Sequence, residues 1–261
     1  MFKIGKKQYT DVIPLLKGTE HTAPTNAWGI VEGYIEGEVF SNKTVQPDAV
    51  LIGTKDGVYF VCGEPDKAFL EAFEKYYLEK ENERFTLFSP NKIWDNMIES
   101  MQTENTKKMK RKAFRLNEEK FQQRARLLRH SDVFEIKPVS SESIMNSRKF
   151  DKDYYQLYWG SIERFLKYGA GYYAVNKDRE ILSECTAIFR SKERMNIDIY
   201  TLEKARGSGL AYGVSKAFIA KCLQNSIAPV WDCDCENIPS AHLAGRLGFD
   251  QFEEYHLYYK Q

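Results

Sequence analysis

No stretch of this 261-residue chain stays apolar for the roughly 18 residues a membrane-spanning helix requires, and the opening MFKIGKKQYT lacks the apolar centre of a signal peptide. Excess charge is missing too. Thirty-eight Lys and Arg against 37 Asp and Glu leave a net charge of +1, which argues against a dedicated nucleic-acid or membrane-surface protein. The cysteines are few and odd in number: Cys62, Cys185, Cys222, Cys233 and Cys235. Without secretory spacing they read as reduced thiols. Cys233 and Cys235 have no second close Cys/His pair, only His242 and His256, to complete a zinc tetrad. They read as two residues of one strand, and no metal is expected. On these absences a soluble, cytoplasmic protein is expected.

What the chain does hold is apolar mass: 43% hydrophobic residues, with 16 Phe and 16 Tyr, enough for one large domain or two of ordinary size. The pattern predicts strands over Ala27–Phe40 and Ala49–Cys62, the latter folded at a Lys55-Asp56-Gly57 hairpin turn. A helix over Asp66–Leu78, a strand over Arg84–Phe88, a helix over Lys92–Met101 and a strand over Met109–Leu116 follow. Asn117–His130 is rich in charge, lacks a core stripe and reads as a break. Beyond it come a strand at Val133–Lys137 and an aromatic helix at Tyr154–Tyr168. Strands at Gly171–Val175, Glu180–Phe189 and Asn196–Leu202 lead to a helix over Gly209–Leu223. A strand at Pro229–Cys233, a helix over Ile238–Leu247 and strand material over Phe249–Tyr259 complete the chain. Both halves thus read β-β-β-α-β-α-β, which suggests two domains, 1–130 and 131–261.

The densest chemistry lies between the strand ending at Leu202 and the helix that follows. The loop Arg206-Gly207-Ser208-Gly209-Leu210-Ala211 is punctuated by glycine and opens directly into a helix. The first N–H groups of a helix have no intrahelical partner, the macrodipole places partial positive charge there, and glycine admits a phosphate to the main chain. Arg206 adds charge assistance. The bland alternative is a glycine turn that only caps the helix. In the first half the corresponding Gly63-Glu64-Pro65-Asp66 carries two carboxylates that would repel phosphate. Asn237 suits the N-cap of the later helix, Pro239 its first turn and Gly248 its end.

The loop pattern of Arg206, Gly209 and Ala211 resembles the acetyl-CoA pyrophosphate loop of the GNAT N-acetyltransferase superfamily. NIPSAHLAGRLGF, Asn237 to Phe249, resembles that superfamily's second cofactor segment. The two motifs stand in the right order over Gly171–Gln261. A narrower resemblance, to the subfamily that includes the zwittermicin A resistance acetyltransferase, rests on APVWDC (Ala228–Cys233), GEVF (Gly37–Phe40) and Pro47 to Ala49. It implies an α/β (α+β) fold: a mixed, mostly antiparallel twisted sheet flanked by helices, preceded by a degenerate GNAT-like N-terminal half. It also implies acetyl-CoA as co-substrate and transfer of acetyl to a primary amine of a small molecule, such as an amino-containing antibiotic, by direct attack in a ternary complex. Nucleic acid and membrane are not expected partners, and a homodimer is allowed.

Residue by residue, the resemblance assigns the donor to Ile199, Tyr200, Thr201, the loop Arg206–Ala211, Asn237 and Ser240, with N–H groups near Tyr200 and Thr201 polarising the thioester carbonyl. The acceptor must lose a proton. A carboxylate raised by burial can take it, which nominates Glu184, set among apolar neighbours, and Asp198. Either can instead be an ordinary strand carboxylate, Asp198 facing solvent. Ser240 is nominated both for the thiol arm and for catalysis, against a solvated first-turn serine. Where many GNAT enzymes carry a tyrosine acid, Ala244 stands, leaving Ser240, Tyr255, Tyr258 or solvent for that role. The departure keeps a rival open, a catalytically silent acyl-CoA-binding sensor. Tyr155, Tyr158 and Trp159 read as core, or as acceptor pocket. The basic run Thr106–Lys112 reads as a lysine-guarded strand edge and not a nucleic-acid site.

Overall fold

The computed structural model describes the chain except residues 20–21, 81–82, 102–104, 128–133 and 261. In chain order the elements are β1 (Phe2–Lys3), α1 (Ile13–Gly18), α2 (Thr25–Val31), β2 (Gly37–Ser41), β3 (Ala49–Thr54), β4 (Val58–Gly63), α3 (Lys67–Glu79), β5 (Thr86–Phe88), α4 (Lys92–Ser100), β6 (Thr106–Leu116) and α5 (Glu118–Leu127). They continue as β7 (Glu135–Pro138), α6 (Ser141–Asn146), α7 (Lys152–Trp159), α8 (Ile162–Tyr168), β8 (Gly171–Val175), β9 (Ile181–Arg190), β10 (Arg194–Thr201), α9 (Leu210–Gln224), β11 (Ala228–Asp234), α10 (Ile238–Leu247) and β12 (Phe249–Lys260). Contacts divide them into two compact units, Met1–Lys110 with the chain from His256 onward, and Arg111–Tyr255.

In the first unit β1, β2, β3 and β4 pair antiparallel in sequence, β4 pairs β5 in parallel, and the end of β12 lies antiparallel on β5. Phe69, Phe73 and Tyr77 of α3 and Trp94 of α4 close one face of this sheet over Leu51, Val61 and Leu87, all buried. Each such aromatic or aliphatic side chain removed from water stabilises by about 1.5–3 kcal/mol. The predicted strand over Ala27–Phe40 is corrected: Thr25–Val31 is helical, and only Gly37–Ser41 is strand. Asn26, Ala27, Ile30 and Val31 are all buried. A helix covered on most sides shows no one-faced period, so its β-branched residues imitate a strand.

In the second unit the strand order is β6-β11-β10-β9-β8-β7, antiparallel except for β10 with β11. Three expectations change here. Asn117–His130 is no break where described: α5 buries Phe121 in a core with Tyr212, Ile219, Trp231 and Leu247. The aromatic helix is two helices, because Gly160 turns left-handed (φ 80°) to end α7 and Ser161 caps α8, accepting from the Arg164 N–H. The end of the basic run is no sheet edge either, since Arg111 and Lys112 pair with Asp234 and Cys233 of β11. Cys233 is buried in β11 and Cys235 falls past its end, so the two are not alternating residues of one strand.

Candidate functional site

The site is built around the end of β10. β10 pairs with β11 only over Arg194–Asn196, then continues to Thr201 against β9 alone. Among the described residues the β11-facing main-chain groups between Ile197 and Thr201 therefore have no strand partner, and Ile199, Tyr200 and Thr201 occupy this opening. The chain turns through a short 3₁₀ stretch, Glu203–Ala205, into the glycine loop. Gly207 and Gly209 have φ of +79° and +84°, and a Cβ at either would meet nothing within 4 Å. Glycine is required there for backbone handedness, with open space above it. Ser208 donates to the Ala205 carbonyl, tying the loop, and Arg206 lies 3.6 Å from Glu203.

The N-terminus of α9 is open. Gly209 supplies no side-chain cap and the first turn has no acidic residue, whereas α3, α4, α6, α7, α8 and α10 each receive a side-chain cap. In the first unit the corresponding helix α3 is closed by the Asp66 carboxylate, which accepts from the Phe69 N–H at 2.7 Å. The exposed loop Arg206–Gly209 thus leads into a helix start whose N–H groups and partial positive charge face an anion.

A second set of groups stands on one face of β9 and β10. Tyr200 lies opposite Glu184 and Asp198 opposite Thr186, so these four project to the same side, while Cys185 and Ile199 project to the other. Glu184 is only 5% exposed. Its Oε2 accepts from the Ser147 hydroxyl at 2.8 Å, and Oε1 has no hydrogen-bond partner among the described residues. Burial pushes its carboxyl up to about 7, against the smaller downward pull of Ser147. Asp198 is not simply solvated: burial raises it as well, and the Tyr154 hydroxyl donates to its Oδ2 at 2.9 Å. Neither carboxylate has an ion-pair partner among the described residues.

Helices α6 and α7 cover this face. Ser147 also accepts from the Lys149 and Phe150 N–H groups, at 3.2 and 2.8 Å, fixing the hydroxyl that meets Glu184. Tyr155 and Trp159 are fully buried. The Tyr155 hydroxyl meets the Thr186 hydroxyl at 3.0 Å, and Trp159 donates to the Ala187 carbonyl at 3.0 Å. They are core, whereas Tyr154 and the half-buried Tyr158 lie in ring contact beside Asp198.

Ser240 is held apart from this pair. Its hydroxyl accepts from the Trp231 indole at 3.1 Å, and its N–H donates to Asn237, which caps α10 as its sequence position implies. Ala244 is fully buried in the core under α10. Of the other acid candidates, Tyr255 donates to Asp232 at 3.3 Å and Tyr258 donates to Glu99 at 2.9 Å; burial raises both phenols. Sequence reasoning missed Ser147 and Tyr154, the two hydroxyls that hold the carboxylates. Ser147 follows a six-residue helix with no apolar period, and Tyr154 is one tyrosine among several. Among the described residues no group of three or more His, Cys, Asp or Glu is placed to hold a metal.

The chain as a whole has counterparts among known proteins. The profile of the GNAT acetyltransferase family matches residues 14–258. Over 260 residues the chain is 35% identical to the uncharacterized N-acetyltransferase YdfB of Bacillus subtilis (strain 168), spanning 98% of this chain and 97% of that one. A GCN5-related N-acetyltransferase-like protein from Streptococcus suis 89/1591 superposes with a TM-score of 0.74 at 22% identity, over 98% of this chain and 99% of that one. A tandem GNAT protein from the clavulanic acid biosynthesis pathway gives 0.67 at 9% identity, over 97% and 94%. The chain belongs to the GNAT acetyltransferase family.

Proposed function

We propose that this acetyltransferase moves acetyl from acetyl-CoA to a primary amine of a small molecule by direct attack in a ternary complex. The observation that carries the reading is Glu184: a buried carboxylate on the sheet face beside the splayed strand, raised to about 7 with one oxygen unbonded. A base titrating there is half ionised at neutral pH and is matched to taking the proton of an ammonium. In this scheme the N–H groups of Gly207 to Ala211 receive the pyrophosphate, with Arg206 assisting. The unpaired groups at Ile199, Tyr200 and Thr201 orient the acyl arm and polarise its carbonyl, while Asn237 and Ser240 border that arm. Asp198, held by Tyr154, attracts the cationic amine. The coenzyme thiol, with acidity near that of cysteine, leaves as thiolate, so the scheme needs no tyrosine at Ala244.

The domain scheme extends the proposal: residues 131–261 carry donor and chemistry, and 1–130 form a degenerate GNAT-like half. The capped N-terminus of α3 supports it, as does the tandem architecture named for the clavulanic acid pathway protein. The subfamily resemblance adds amino-containing antibiotics to the acceptor panel. The test is acetyl-CoA-dependent thiol release against a panel of amines, with Glu184→Gln as control. Release that requires both an amine and Glu184 supports the reading. Tight acetyl-CoA binding without turnover on any amine would favour the sensor instead.

A further inference from the structure

A cleft of about 530 Å³ opens in the second unit on the helical side, lined by Arg124, Tyr212, His242, Arg246 and Asp250 among others. Its floor is unusual in one respect. Tyr212, the third residue of α9, is only 6% exposed, and its hydroxyl is buried with no hydrogen-bond partner among the described residues. A phenolic hydroxyl taken out of water without a partner costs free energy, commonly about 1–3 kcal/mol, so it favours any acceptor that reaches it.

The cleft's charges point the same way. The Arg246 guanidinium stands 5.3 Å from the Tyr212 ring centre and has no carboxylate partner among the described residues. Arg124 donates to the Gly245 carbonyl, offsetting the negative end of α10 while keeping further N–H donors available. Among the described residues of the rim the one carboxylate is Asp250, already neutralised by Lys120 at 2.6 and 2.8 Å. Two guanidinium groups, an imidazole and an unpaired hydroxyl within reach of the first turn of α9 form a donor set for a compact, multiply charged oxyanion.

We propose that this cleft is a binding site for a phosphomonoester, gripped by Arg124 and Arg246 with the Tyr212 hydroxyl donating to a phosphate oxygen. The phosphate can belong to the 3′ position of coenzyme A or to a separate phosphorylated molecule, and titration calorimetry on the full chain separates the two. The probes are coenzyme A, 3′-dephospho-coenzyme A and inorganic phosphate, each against wild type, Arg246→Gln and Tyr212→Phe. A donor source predicts coenzyme A bound about tenfold or more tighter than its dephospho form, with both substitutions driving that ratio toward one and leaving the dephospho affinity unchanged. A separate ligand predicts no such preference but saturable inorganic phosphate binding, weakened about tenfold by Arg246→Gln. Absence of both in wild type overturns the site. If neither coenzyme binds, the donor reading falls by itself and the phosphate titration still decides the cleft.

Discussion

Replacing Glu184 by Gln keeps the side-chain volume and an oxygen to accept from Ser147, but removes the ability to ionise. With a folded pKa of about 7 against an ordinary 4.5, the wild-type group holds its proton in the folded state over a range where the unfolded chain has lost it. Stability is therefore fullest below pH 4.5, falls as pH rises through that window and levels off above about 7. A displacement of this size corresponds to about 3 kcal/mol, the upper scale of what burying the charge costs. Glu184→Gln should therefore lie within about 1 kcal/mol of wild type near pH 5 and exceed it by up to about 3 kcal/mol at pH 8, seen as a melting point several degrees higher. The assay is thermal unfolding of both proteins between pH 5 and 8, without ligands. A variant that melts at or below wild type at pH 8 would refute the reasoning, because Glu184 would then be a structural carboxylate stabilised by its ionised form.

Other outcomes follow from the same geometry. Ser147→Ala removes the bond that lowers Glu184, so the pH at which turnover reaches half its maximum should move upward, read from rate profiles. Gly209→Ala places a side chain at φ +84°, costing about 1–2 kcal/mol. With open space around that position the main loss should be in acetyl-CoA affinity as the loop distorts, measured by calorimetry against the melting point. Asn237→Ala removes the α10 cap and should lower stability by about 1 kcal/mol, measured by denaturant unfolding.

The second unit was the more readable in sequence. The strand, loop and helix from Ile197 to Gln224, and the cap and end of α10, follow from glycine, asparagine and apolar spacing that act locally. Glu184 was conspicuous because a charge inside an apolar strand is costly unless it is used. What the sequence hid depended on tertiary contact. α2 is buried on most sides and so carries no period. α5 is pinned by Phe121 in an otherwise polar segment, and Gly160 divides what periodicity presents as one aromatic helix. The Ser147–Glu184 and Tyr154–Asp198 bonds join residues 37 and 44 positions apart, a separation that no local pattern announces. The unpaired Tyr212 hydroxyl is likewise a product of packing alone.

The most direct test of Glu184 as the base of an acetyl transfer is the maximal rate of thiol release, measured from pH 5.5 to 9 at saturating acetyl-CoA and amine, for wild type and Glu184→Gln. The account predicts a wild-type rate that rises with pH through a midpoint near 7, the value burial gives Glu184. In the variant the rate should be lower by about 10²–10⁴ and should lose that rise. A variant that kept both the rate and the profile of wild type would contradict it.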